Sequence, residues 1–220
     1  VSYNVASGAS EIVESNINTY AISDRNILFQ TLENDLISKR IGATSEPRLI
    51  FDTKKGIQKI IPSDNEYIAL LFTDGELQLV SKKGELRYIA SGVHQAMWSQ
   101  SGDTLLIQSS KEELNTYTPD GITLDTIPVG ELHLVVRLSR PVNPVGWLPD
   151  NKHIVYETDE NVIVSEIDTR DHAISNVVQE ASPTNPNIFI EQDGKSFISL
   201  QKGGVTQSLM RTWLVTKEDR

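Results

Sequence analysis

The chain has 220 residues, no cysteine and a formal net charge of −10 at pH 7. That balance excludes disulfides, thiolate zinc sites and cysteine nucleophiles, and it makes a nucleic-acid backbone or an anionic lipid surface an unfavourable partner. No stretch approaches the roughly 18 consecutive apolar residues that a membrane-spanning helix requires.

The sequence opens on Val1 without a charged-then-apolar leader pattern, so it reads as part of a longer or processed product, with any anchor or export signal outside it. Residues 1–15, VSYNVASGASEIVES, hold one or two strands. From there a short pattern recurs: a turn rich in Ser, Asp, Asn or Gly runs into an apolar strand. It appears as YAISDRNILF (20–29), IIPSDNEYIALLF (60–72), WSQSGDTLLIQSS (98–110), WLPDNKHIVYET (147–158) and IFIEQDGKSFISL (188–200). The turns are anchored near Asp24, Asp64, Ser101, Asp150 and Asp193, in steps of about 37 to 49 residues.

Each copy continues through alternating strands and further turns. The segment TLENDLISKR (31–40) comes nearest to a helical stripe, but its place in the repeat predicts strand–turn–strand. In the second copy the strands are EYIALLF, ELQLVS and ELRYIA, separated by TDG and KKG. The third gives TLLIQ, LNTYT and ITLDTI; the fourth gives HIVYE, VIVSEI and AISNVV. The long step between them carries an insertion at 129–146, whose strand ELHLVVRL is expected to project as a hairpin.

Strand-built repeats of this length predict an all-β chain, a β-propeller of about five four-stranded blades forming one domain over residues 1–220. The N-terminal strands would complete the blade begun by SLMRTWLVT (208–216), closing the ring and removing its exposed edges. The alternative is part of a six- or seven-bladed ring. Trp98 and Trp147 end the innermost strands of their blades, where an indole can wedge between adjacent sheets.

The run Trp-Ser-x-Ser-Gly-Asp at 98–103, an apolar strand and the Tyr-x-x-Asp-Gly turn at 117–121 resemble the WD40-like repeats of TolB-type β-propellers. Residues 98–102 keep the Trp, Ser and Gly of that family's Trp-Ser-Pro-Asp-Gly, and residues 147–151 keep its Trp, Pro and Asp. The resemblance implies a propeller from a bacterial envelope protein, sometimes accompanied by small PEGA-type domains, and hence an extracytoplasmic location.

Catalytic patterns are absent from the sequence. His94, His133, His153 and His172 show no metal-ligand spacing, and adjacent carboxylates such as Glu112-Glu113 point to opposite faces of a strand. No catalytic residue, metal or cofactor is expected. The turn aspartates recur for backbone reasons. The loops leading into inner strands, 45–56, 91–95, 137–144 and 180–187, should converge on one end of the ring. They place His94, Gln95, Arg137, Arg140, Asn143 and Asn187 as candidate partner contacts, with Arg137 and Arg140 suited to grip a carboxylate. The expected function is a non-catalytic scaffold, a monomeric part of a larger chain, that presents this face to a protein, peptide or glycan. The alternatives are a propeller domain of an enzyme, either a hydrolase, a lyase or the gate of a serine peptidase, and a rigid spacer.

Overall fold

The computed structural model describes residues 2–4, 9–11, 14–24, 26–42, 46–120, 128–168, 174–180, 188–203 and 206–214, and every regular element among them is a β-strand. Strands β1 (Ser2–Asn4) and β2 (Ala9–Glu11) pair with each other. Five larger sheets follow. The first is β3 (Ile17–Ser23), β4 (Asn26–Thr31), β5 (Asp35–Arg40) and β6 (Arg48–Asp52); the second is β7 (Ile57–Pro62), β8 (Ile68–Phe72), β9 (Leu77–Val80) and β10 (Leu86–Ala90). The third is β11 (Gln95–Trp98), β12 (Leu105–Ser110), β13 (Glu113–Tyr117) and β14 (Leu132–Arg137). The fourth is β15 (Asn143–Trp147), β16 (His153–Glu157), β17 (Asn161–Glu166) and β18 (Ser175–Glu180). The fifth has, among the described residues, three strands: β19 (Ile188–Ile190), β20 (Ser196–Gly203) and β21 (Thr206–Trp213). All five are antiparallel meanders whose spatial order follows the sequence.

In the second to fifth sheets the recurrent turns between the first two strands are held by side-chain oxygens. Asp150 Oδ1 accepts the N–H groups of Lys152 (2.9 Å) and His153 (3.1 Å), and Asp193 Oδ1 accepts that of Lys195 (3.0 Å). In the second sheet Ser63, and not Asp64, is the acceptor, taking the N–H groups of Asn65 and Tyr67 at 3.2 Å each. In the third it is Ser99, which accepts from Thr104. Asp, Ser and Asn recur because these oxygens mimic a backbone carbonyl at a sharp reversal.

The chain forms two compact units, Val1–Val93 and His94–Arg220. In the first, Leu28 and Leu36 of the first sheet pack with Ile57, Ile60, Leu70, Phe72 and Val80 of the second. In the second unit the fourth sheet is apolar on both faces. Ile154 and Tyr156 of β16 join Leu106, Leu114 and Val136 of the third sheet, while Val155 between them joins Phe197 of the fifth. Side chains alternate across a strand, so a run like HIVYE is buried only with a neighbour on each side. Trp147, 4% exposed, bridges such a junction: its indole N–H donates to the Met97 carbonyl at 3.3 Å. At the turns the fourth and fifth sheets approach closely. A Cβ on Gly194, whose φ is +67°, would lie 2.7 Å from Pro149 Cδ.

Two expectations need correction. Residues 132–137 do not project as a hairpin; they are the outer strand of the third sheet, with Glu113 opposite Arg137 and Leu114 opposite Val136. A bulge between Leu114 and Asn115 lets the consecutive Val135 and Val136 both be buried. The expected strand ITLDTI (122–127) lies outside the described residues. Residues 45–56 are not simply a loop, because 48–52 form β6. Among the described residues β1 pairs with β2, and β21 with β20.

Removing the Trp147 indole should be costly because it empties the junction of two sheets. Trp147→Ala is expected to lower unfolding free energy by about 3–5 kcal/mol, and Trp147→Phe by clearly less, in equilibrium urea unfolding.

Candidate functional site

Antiparallel pairing decides which residues meet. In the third sheet Gln95 opens β11 and faces Gln108 of β12, which faces Leu114 of β13, which faces Val136 of β14. The start of the inner strand and the end of the outer strand therefore lie at the same end of the sheet. Residues 138–142 link that end to Asn143, which opens β15. The topology thus gathers His94, Gln95, Arg137, Arg140 and Asn143 at one end of the third and fourth sheets. Asn187 lies outside the described residues.

His94, Gln95 and Asn143 are exposed, on backbone that is itself anchored. The His94 N–H donates to the Gln108 carbonyl at 2.9 Å, and the Val142 N–H to the Lys111 carbonyl at 2.7 Å. Neither arginine is idle. Arg137 Nε donates to Glu113 Oε1 at 2.7 Å, and Arg140 donates to Glu160, whose carboxylate raises the Arg140 pKa. Both pairs are exposed to water, where such contacts contribute little and exchange readily. Their effect is to hold the guanidinium groups in place without sequestering them.

Three buried polar groups, of which Gln108 and Glu157 lie behind this end, were not anticipated from the sequence. Gln108, on β12, donates through Nε2 to the Val142 carbonyl at 2.6 Å, stapling the third sheet to the segment that enters the fourth. Gln30 does the same between the first and second sheets. Its Nε2 donates to the Lys55 carbonyl (2.6 Å) and Thr53 Oγ1 (2.8 Å), and its Oε1 accepts the Ile57 N–H at 2.8 Å. Glu157 occupies the corresponding place on the second strand of the fourth sheet. It is 7% exposed. Its Oε2 accepts weakly from Asn143 Nδ2 at 3.4 Å, and its Oε1 is buried with no hydrogen-bond partner among the described residues. Burial pushes the Glu157 carboxyl above its ordinary pKa, against the smaller lowering by Asn143. The signal was in the repeat register: Gln30, Gln108 and Glu157 follow their anchors Asp24, Ser101 and Asp150 by six or seven residues.

A carboxylate cannot donate a hydrogen bond, so Glu157 can imitate the glutamines only when protonated. With its free oxygen shut off from solvent, it is placed to influence stability and not to deliver a proton to a bound substrate. Elsewhere, His153 Nδ1 meets Asp150 Oδ2 at 2.6 Å, and this bond raises the imidazole pKa against its partial burial. That histidine belongs to a turn. Among the described residues, no group of three or more His, Asp or Glu side chains converges to hold a metal ion.

No protein-family model matches the chain, and no curated protein matches it. Solved structures do. The β-propeller domain of Cps50 (Swd1) from Myceliophteria thermophila aligns with a TM-score of 0.54 at 12% identity, over 88% of this chain and 67% of that one. The fold is a β-propeller. YCF48 bound to D1 peptide aligns at 0.53 and 10% identity over 89% of this chain and 63% of its own. Oligogalacturonate lyase in complex with manganese aligns at 0.57 and 15% identity over 87% and 55%. The chain spans about two thirds of the length of the first and less of the other two. At these identities the likeness establishes the propeller and nothing about what it binds.

Glu157 yields a pH prediction. The folded chain holds its proton more tightly than an unfolded chain with a carboxyl near 4.5. Stability from this group is therefore present below the unfolded value and is lost as pH rises through the raised folded value. Glu157→Gln removes that loss and supplies a permanent donor. The variant should match the wild type below pH 4.5 and exceed it at pH 7 in urea unfolding. Equal pH dependence of the two chains would show that Glu157 carries no burial penalty.

Proposed function

We propose that this chain is a non-catalytic binding propeller, and that its recognition face is the end of the third and fourth sheets where the inner strands begin. The observation that carries the reading is the combination found there: exposed His94, Gln95 and Asn143 on anchored backbone, flanked by Arg137 and Arg140 held in exchangeable ion pairs. Such a face suits an acidic segment of a protein or peptide, whose carboxylates would displace Glu113 and Glu160 from the two guanidinium groups. The polar surface also admits an acidic glycan. The peptide-bound state of YCF48 supports the protein or peptide reading, since it shows a propeller of similar fold used in that way.

The lyase among the similar structures is a reminder that propellers also carry enzymes. For this chain the binding reading is favoured because, among the described residues, the strongly buried carboxyl near the face is that of Glu157, whose unpartnered Oε1 is shut off from solvent. The finer assignment is to a TolB-type, WD40-like propeller of a bacterial envelope protein. It draws support from the Trp-Ser-x-Ser-Gly-Asp run at 98–103 and from a cysteine-free composition compatible with export.

Panning a displayed peptide library against the full chain should enrich acidic peptides. Their binding should shift the backbone amide NMR signals of residues 92–95 and 138–143. Charge reversal of both arginines, Arg137→Glu with Arg140→Glu, should weaken those peptides by roughly tenfold or more. Peptides that bind the reversed chain equally well, or that shift signals elsewhere only, would place the recognition face wrongly.

A further inference from the structure

The first unit contains a cleft of about 250 Å³ between the first and second sheets, at the end bearing the turn that joins β3 to β4. Its floor is apolar: Leu28 and Ile50 from the first sheet, Ile68 and Val80 from the second. Its rim is polar. Arg48 opens β6, Lys82 sits in the turn between β9 and β10, and Glu66 sits in the turn between β7 and β8. Arg48 and Lys82 are exposed, and neither makes an ion pair among the described residues; Lys82 Nζ lies 5.8 Å from the centre of the Tyr67 ring. Two cations against one carboxylate leave a positive rim on a chain of net charge −10.

The serines of this cleft add an independent indication. Ser63 Oγ accepts the N–H groups of Asn65 and Tyr67, both at 3.2 Å. Ser81 Oγ accepts those of Lys83 (3.2 Å) and Glu85 (3.1 Å). A hydroxyl oxygen has two lone pairs and one proton. With both lone pairs engaged by turn amides, each hydroxyl has only its proton left to offer, and both hydroxyls line the cleft. Donors without a remaining acceptor role, together with unpaired cations, select an anion.

We propose that this cleft binds a small organic monoanion, a carboxylate joined to an aliphatic or aromatic body. The body would lie on Leu28, Ile50, Ile68 and Val80. The carboxylate would take Arg48, Lys82 and the hydroxyl protons of Ser63 and Ser81. The single excess positive charge matches a monoanion, and the volume, just below the usual range of about 300–1,000 Å³ for ligand pockets, matches a fragment-sized acid. The site lies in the other unit from the face assigned to macromolecular recognition and stands or falls independently of it.

The test is a titration of the full chain with phenylbutyrate, its neutral amide and inorganic phosphate, followed by backbone amide NMR. Phenylbutyrate should shift signals at residues 62–68 and 80–84, with the amide and the phosphate each weaker by about tenfold. Arg48→Gln and Lys82→Gln should each weaken phenylbutyrate severalfold. Glu66→Gln should tighten it, a gain that misfolding cannot produce. Binding of the neutral amide as tightly as the acid would overturn the proposal, as would phosphate binding equal to phenylbutyrate. Affinities unchanged in all three variants would overturn it as well.

Discussion

A β-sheet that is apolar on both faces cannot be stable in water without a neighbour on each side, and that constraint organises this molecule. It is clearest in β16, where Ile154 and Tyr156 leave on one face and Val155 on the other, each into a different cluster. Burial of such side chains stabilises by about 1.5–3 kcal/mol each, but only while the adjacent sheet is in place. The second sheet stands in the same relation to the first through Leu70, Phe72 and Val80. The strands form locally; the packing that holds them is between sheets.

Hydrogen bonds direct what apolar packing alone leaves unspecified. Gln30 and Gln108 tie a second strand to the segment entering the next sheet, at the end where the inner strands begin. A buried carboxamide of this kind must find partners or lose several hydrogen bonds, so it fixes how successive sheets meet. Glu157 breaks the series. It keeps the position and loses the donor, which leaves a buried oxygen beside Asn143 and makes that junction sensitive to protonation. The exposed face rests on the Gln108 staple, which holds Val142 next to Asn143.

Much of the fold was legible in the sequence because its determinants are local. Turn residues at 23–24, 63–65, 99–102, 149–151 and 192–194 and the apolar strands after them are short-range signals, and the structure keeps them as strand–turn–strand units. Pairing at long range was not legible. ELHLVVRL looked like an insertion because ITLDTI follows the preceding turn more closely, and only the bulge opposite Leu114 shows how two consecutive valines fit an outer strand. The site shows the same division. Topology alone brings His94, Gln95, Arg137, Arg140 and Asn143 together, whereas the pairing of Arg137 with Glu113 and Arg140 with Glu160 required the register. Glu157 went unnoticed because a Glu at a strand end ordinarily faces water, Ser63 because a turn explanation already accounted for it, and Ser81 because it read as the end of the strand ELQLVS.

The central claim is that these sheets are stable through each other and not singly. Native-state hydrogen exchange of the amides in β12 and β16, measured across low urea concentrations, tests it most directly. Mutual dependence predicts that the slowest amides of both strands open together, with one free energy and one urea dependence. Two well-separated opening free energies, with β16 retaining protection after β12 has exchanged, would contradict it.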